Sequence, residues 1–335
     1  MSIKVHTDLL NENTTVFSVS QVKCWSIKDT NIPSTWRVTK GQDMTAMVID
    51  TGHPQHRDIG DNVIEGKNFT NSQTILDTQG HGTAVTGVIC AKHNNTGMVG
   101  VAPKAKSISV KGLGDDGAGQ LHWIENALEY AIEVKPDVIC MSLGATVGSA
   151  RMHKLIKTLY KMNIPIVAAA GNDGYRGVDF PAKYPETIAV AAFDKNGRIA
   201  NFSARGPELD FAAPGVDVYT TWLRNGYINI NGTSFAAPYI TGVILLLLSK
   251  HRIQEELTGV NDCKTVDEVK NHLLKYTVDK GAIGKDNYWG YGVVDVESLI
   301  VGKSECIETI DNFTENRKWH IRVWKQIKRF FRYQK

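Results

Sequence analysis

Short apolar runs recur along the chain, separated by longer mixed segments. Met44-Thr45-Ala46-Met47-Val48-Ile49 reads as a strand buried on both faces. Comparable runs predict strands over 44–50, 107–111, 137–142, 165–170 and 187–192. The intervening segments predict helices over 81–91, 119–133, 149–162, 233–250 and 265–276. Strands alternating with helices make a parallel sheet covered on both faces, so the predicted class is α/β, a three-layer sandwich. The longest apolar run, Val243 to Leu248, is too short to span a bilayer and reads as a core helix.

The chain has 335 residues and 42% hydrophobic residues. Large α/β domains reach about 250–300 residues, so this suffices for one substantial core. No Pro/Ser-rich linker, repeat or low-complexity stretch divides it. The expected organisation is an N-terminal extension over 1–35, one domain over 36–302 and a C-terminal tail over 303–335.

Candidate chemistry lies at the ends of these elements. Asp50 closes the first strand and precedes Thr51-Gly52, where open α/β sheets place their sites. On its own it could be a turn residue. His81 sits between Gly80 and Gly82 and opens a predicted helix. Alone, a histidine there is more often a loop or core residue. Ser234, in Asn231-Gly232-Thr233-Ser234-Phe235-Ala236-Ala237-Pro238, stands at the start of the apolar helix. There the helix dipole favours developing negative charge, although an N-cap is the commoner use of such a residue. Asn172 follows the strand Ile166 to Ala170 and could direct its amide N–H at an oxyanion. Together the first three supply an acid, a base and a nucleophile, which a serine hydroxyl needs before it can attack.

These segments resemble the subtilisin-like serine proteases, in which Asp, His and Ser follow in this order. The resemblance runs from about Trp36 to Leu299. It includes Gly100-Val101-Ala102-Pro103, Gly119-Gln120, Met141-Ser142-Leu143-Gly144, Phe180-Pro181-Ala182-Lys183-Tyr184-Pro185 and Ala212-Ala213-Pro214-Gly215. It implies a serine endopeptidase acting on protein or peptide substrates. The alternative is a catalytically idle relative that binds or regulates proteins, but Asp50, His81, Ser234 and Asn172 are all retained. Ala84, Phe235 and Tyr239 depart from the family's usual His, Met and His, which bears on substrate shape rather than on the triad. The absence of a secretory leader at Met1 to Asp8 and the wording around Gly66-Lys67-Asn68-Phe69 resemble the intracellular branch, so a cytoplasmic location is expected.

The same resemblance implies an S1 pocket walled by Ser142, Leu143 and Gly144 on one side and Ala169, Ala170 and Gly171 on the other. Asp173 would lie near its rim and Asp179 at its base. A carboxylate at the base would favour cleavage after Arg or Lys; otherwise Asp179 is a loop charge paired with Arg176 or Lys183. Leu121, Ile124 and Leu143 would line S4, with Leu113 near S2. Asn94, in Lys92-His93-Asn94-Asn95-Thr96-Gly97-Met98, and Asp58 match the family's calcium ligands. Calcium there would be structural. His53 and His56 lack the further ligands of a zinc site.

The five cysteines are scattered and never spaced C-x-x-C, which fits free thiols in a reducing compartment. Charge is uneven. Residues 317–335 hold eight Lys/Arg and no Asp or Glu, leaving 30 basic against 35 acidic residues elsewhere, about −5. On a helical wheel the tail's Lys318, Arg322, Lys325, Arg329 and Arg332 oppose Trp319, Val323, Trp324, Ile327, Phe330 and Phe331. Such a helix suits an anionic membrane surface, peripheral to the inner face, or a protein surface. No nucleic-acid module is recognisable. The extension 1–35 is too short for a long folding prodomain; it could pack on the body or lie across the cleft as an inhibitory segment.

Overall fold

The computed structural model describes residues 2–4 and 20–302. The tail calculated to be amphipathic over 317–335, with its membrane or protein partner, lies outside the described residues.

The framework is a seven-stranded parallel sheet. Its strands are β2 (Thr45–Asp50), β3 (Val63–Asn68), β4 (Lys106–Lys111), β6 (Val138–Met141), β7 (Ile166–Ala169), β8 (Ile188–Phe193) and β9 (Phe211–Pro214). β1 (Ser2–Lys4) and β5 (Ala118–Gln120) form a separate antiparallel pair. The sheet order is β3-β4-β2-β6-β7-β8-β9. From β2 the chain passes to β3 at the sheet edge, returns to β4 between them, and then crosses to β6 on the other side of β2. The C-terminal end of β2 is thus the topological switch point, the place where α/β sheets open a crevice.

Period-two alternation sends side chains into two cores. Ala46, Val48, Cys140, Val167 and Val190 join one core, with Met47, Ile49, Ile139, Ile166 and Ala189 in the other. The first core is covered by α1 (His81–Cys90) and α4 (Thr233–Thr258). The second is covered by α2 (Leu121–Val134) and α3 (Ala150–Lys161). This is the expected three-layer arrangement. Nearly every residue of β2, β6, β7 and β8 is buried because both faces are covered, which is why these strands read as unbroken apolar runs.

The five predicted strands and five predicted helices are present, with differences that have local causes. α4 continues past 250 to Thr258, because Lys250, Arg252, Gln254, Glu255 and Glu256 are good helix formers, with Arg252 and Glu256 exposed to solvent. It stops at Gly259, whose φ of +76° breaks the helix. α2 begins at Leu121 rather than 119, because Ala118–Gln120 is held extended by its pairing with β1. β3 and β9 were not predicted: β3 is an edge strand carrying Glu65 and Lys67, and β9 is an edge strand that runs into Pro214 and Gly215, a sequence that reads as a turn. α4 is long and apolar enough to cross a membrane by composition, but its apolar stretch is 89% buried within the fold.

Residues 20–35 pack on the body. Ile27 and Ile32 enter the first core, and the Trp25 indole N–H donates to the carbonyl of Val216 at 3.0 Å. Cys24, Cys90, Cys140 and Cys263 are buried free thiols. Burial pushes Cys90 and Cys140 up to about 12.

Candidate active site

The C-terminal edge of the sheet brings together strand ends and two helix starts. Asp50 is the last residue of β2, and His81 is the first residue of α1. Oδ1 of Asp50 lies 2.7 Å from Nδ1 of His81, with both side chains buried. The N–H of Thr51 also donates to Oδ1 at 2.7 Å. A buried carboxylate on Nδ1 fixes the orientation of the imidazole and points Nε2 away from Asp50. Among the described residues Nε2 makes no hydrogen bond, nor does Oδ2 of Asp50.

Asp77, which the sequence reading passed over, holds the start of α1. Its Oδ1 accepts from the Thr51 hydroxyl at 2.8 Å and the Gly80 N–H at 2.8 Å. Its Oδ2 accepts from the Thr83 N–H at 2.7 Å and the Thr83 hydroxyl at 2.6 Å. The Thr51 hydroxyl in turn accepts the Gly82 N–H at 2.8 Å. The loop after Asp50 and the helix bearing His81 are therefore fastened to one another through Asp77. An acid near a helix start was the available signal, but one of its partners, Thr51, lies 26 residues away just beyond β2. Gly80 has a φ of +105°, and a Cβ there would stand 2.7 Å from the Trp222 ring, so the turn into His81 requires glycine.

Lys111 was also passed over. It closes β4, is fully buried, and donates from Nζ to the Thr51 carbonyl and, at 3.3 Å, to that of Leu76. Asp115 lies 2.9 Å from the same ammonium. The Thr78 hydroxyl, and after it Lys111, hold Asp115 below the usual carboxylate range against the effect of burial.

Ser234 is the second residue of α4 and is buried. Its hydroxyl donates to the Ser142 carbonyl at 3.2 Å, so no hydrogen bond joins Ser234 Oγ to the His81 imidazole in this conformation. Such bonds commonly form only when substrate enters. Pro238 lacks the N–H that would otherwise bond the Ser234 carbonyl four residues earlier. That carbonyl instead accepts the Ser142 hydroxyl at 2.8 Å, which ties the start of α4 to the end of β6. Phe235 packs beside the base, its ring centroid 5.5 Å from that of His81.

Asn172 lies just beyond β7. Its Oδ1 accepts from the Thr233 N–H at 3.0 Å and the Thr233 hydroxyl at 2.9 Å. These two bonds orient the amide, with its nitrogen directed away from Thr233.

The predicted pocket residues also come from strand ends. Ser142, Leu143 and Gly144 follow β6; Ala169 ends β7, and Gly171 follows it. The two walls are joined by reciprocal hydrogen bonds of 2.8 Å between Ala145 and Phe180. Asp179 is buried, and a Cβ on Gly171 would lie only 2.6 Å from its Oδ2. With its φ of +111°, Gly171 lets the carboxylate approach the wall. Arg176 pairs with Asp173 at 3.0 Å, and Lys183 lies 3.9 Å from Glu208. Asp173 is thus at the surface. Leu113, Ile124 and Leu143 are buried in the second core, with Leu121 packed against it.

That core also holds Ile3. β1 pairs antiparallel with β5, placing Ser2 opposite Gln120, Ile3 opposite Gly119 and Lys4 opposite Ala118. The extended segment Ala118–Gln120, which leads into Leu121, is therefore already paired by the chain's own N-terminus.

Asp58 and Asn94 meet in a second loop cluster. Asn94 Nδ2 donates to Asp58 Oδ1 at 3.0 Å, and Asp58 Oδ2 accepts from the Met98 N–H and the Tyr227 hydroxyl, both at 2.8 Å. Gln21, missed in the sequence, places its Nε2 against four oxygens: Lys92 O at 2.8 Å, Met98 O at 3.1 Å, and Asn94 Oδ1 and Thr96 O at 3.4 Å. Convergent oxygens with a neighbouring carboxylate fit a hard cation such as calcium. Gln21 lies more than 70 residues from this loop, so spacing alone could not reveal it.

Residues 41–292 match the subtilase family. The chain is 37% identical to subtilisin DY of Bacillus licheniformis over 265 residues, 77% of this chain and 91% of that protein. It is 38% identical to subtilisin E of Bacillus subtilis over 265 residues, 77% of this chain and 66% of the relative. With the thermostable alkaline protease of Halalkalibacterium halodurans it shares 39% identity over 236 residues, 70% of this chain and 65% of that protein.

Proposed function

This chain belongs to the subtilase family and is a serine-type endopeptidase, and we propose that Asp50, His81 and Ser234 are its triad and Asn172 its oxyanion donor. The observation that carries this reading is the buried 2.7 Å contact between Asp50 and His81 Nδ1, beside the helix start that bears Ser234. On substrate entry Ser234 Oγ turns to His81 Nε2 and attacks the peptide carbonyl as its proton passes to that nitrogen. The resulting oxyanion is met by the Asn172 amide and the start of α4. The imidazolium then protonates the leaving amine, giving an acyl-enzyme. Water, deprotonated by His81, attacks the acyl carbon and releases the carboxylic acid and the free serine.

Asp179 gives the pocket a preference for Arg or Lys at P1; its burial against Gly171 supports this. Asp58, Asn94 and Gln21, the last with its amide turned so that Oε1 replaces the Nε2 now facing these oxygens, would hold calcium together with the carbonyls of Lys92, Thr96 and Met98; the ion would brace the loops and take no part in the chemistry. The dispersed buried thiols support a reducing, cytoplasmic setting.

A panel of peptides varied at P1, with Ser234→Ala as control, tests the reading. Ser234-dependent turnover fastest after Arg or Lys is expected. Fastest turnover after Phe or Leu would remove Asp179 from the specificity assignment. No turnover by the chain, even after trimming either end, would favour the regulatory alternative.

The pairing of β1 with β5 supports an inhibitory role for the N-terminus. Burial of an isoleucine contributes about 1.5–3 kcal/mol, so Ile3→Asp should release the segment and raise kcat/KM on short peptides by about tenfold or more. Unchanged kinetics, with the intact mass confirmed, would assign β1 to packing alone.

A further inference from the structure

The far end of α4, remote in sequence from Ser234, carries a second group of chemically competent side chains. His251 lies in the last turns of α4 and is buried. The chain then turns through Asp262 and the buried Cys263 into α5 (Val266–Lys275). Thr265 and Glu268 close a capping box that fixes this helix's start, and His272 stands in its last turn. Helix, turn and helix thereby bring two imidazoles and a thiol together. One ligand atom from each of His251, Cys263 and His272 lies within 4.8 Å of the other two. The two ring centroids are 4.7 Å apart.

A purely structural cluster should satisfy its buried polar atoms. Here Asp262 Oδ1 lies 2.8 Å from His251 Nδ1, while Nε2 of this buried ring makes no hydrogen bond among the described residues. An imidazole left in that state costs stability, and a metal ion would remove the deficit. Asp262 also contacts the second ring: its carbonyl is 3.1 Å from His272 Nε2, and its carboxylate 3.7 Å. Carboxylate and carbonyl partners of this kind orient metal-bound histidines.

We propose that His251, Cys263 and His272 form a transition-metal site, most suited to Zn²⁺, with water or the Asp262 carboxylate in the fourth position. Two imidazoles and a thiolate form a borderline-to-soft donor set, unlike the oxygen cluster around Asp58. Zinc bonds of about 2.0–2.3 Å require ligand atoms closer together than the present 4.8 Å limit. His272 can make this adjustment, since its side chain is 19% exposed on the open side of the cluster. Bound metal would clip α5 and the intervening turn to the end of the nucleophile's helix.

The test uses the full chain as Ser234→Ala, which prevents self-digestion, titrated with Co²⁺ as a spectroscopic substitute for Zn²⁺. One equivalent should bind, producing a thiolate-to-cobalt charge-transfer band that Zn²⁺ abolishes. Zinc should also raise the thermal midpoint. Cys263→Ser should lose the band, while Cys306→Ser should retain it. His272→Ala should weaken binding by at least about tenfold. If Cys263→Ser does not fold by circular dichroism, the His272 variant decides. A missing band, one that survives in folded Cys263→Ser, or one with unaltered affinity in His272→Ala would each overturn the proposal.

Discussion

Two aspartates serve opposite ends of β2, and they do different work. Asp137 precedes β6 at the N-terminal edge of the sheet, where its Oδ2 accepts the Thr45 N–H at 2.7 Å and anchors the start of β2. Asp50 ends the same strand and meets an imidazole at 2.7 Å, with its other oxygen making no hydrogen bond among the described residues. Asp137 is spent on backbone geometry. Asp50 and His81 keep polar atoms without hydrogen bonds among the described residues, as the proposed triad requires, and Asp77 and Lys111 provide the fastening around them. The difference lies along one strand: Asp137 closes the start of β2 with a bond to its backbone, while Asp50 at its end keeps one oxygen without a hydrogen bond among the described residues.

The largest effect should come from removing the base. His81→Ala should lower kcat by about 10⁴–10⁶, with little further loss when Ser234→Ala is added, since the two act as a unit. Additive losses in steady-state kinetics would separate them and break the comparison. Asn172→Ala should act on kcat by about 10²–10³, the scale known for an oxyanion donor in subtilisin, with KM nearly constant. A change confined to KM would make Asn172 a substrate contact instead.

The smallest effect belongs to the other edge. Burial raises the Asp137 carboxyl above its ordinary value, opposed by the Thr45 N–H and Arg252. The folded state therefore holds this proton more tightly than the unfolded state does. That contribution is present below the unfolded value and lost as pH rises through the folded one, so at neutral pH the charge is a cost. Asp137→Asn keeps an acceptor for Thr45. It should be neutral to stabilising by up to about 1 kcal/mol at pH 7, with the gain fading near the ordinary carboxylate range. Urea unfolding at the two pH values checks this; a clear loss at pH 7 would mean that the charge itself secures β2.

The same contrast explains what could be read from the chain. β2, β6, β7 and β8 were legible because burial on both faces writes them as apolar runs, and Asp50, His81, Asn172 and Ser234 because each stands where such an element ends or begins. Gln21, Asp77 and Lys111 were not legible as participants. Their partners lie on other elements, and a buried lysine or a loop glutamine has no local periodicity to mark it. β1 was hidden for a similar reason: three residues become a strand only because Gly119 and its neighbours offer an edge. His251, Cys263 and His272 likewise converge only after α4 and α5 turn back on each other.

The most direct measurement is covalent trapping of the nucleophile. The full chain would be treated with a fluorophosphonate and its labelled peptide identified by mass spectrometry, with His81→Ala in parallel. The account predicts one label, on Ser234, formed far more slowly in the variant. A label on another serine, or labelling of Ser234 at an equal rate without His81, would contradict it.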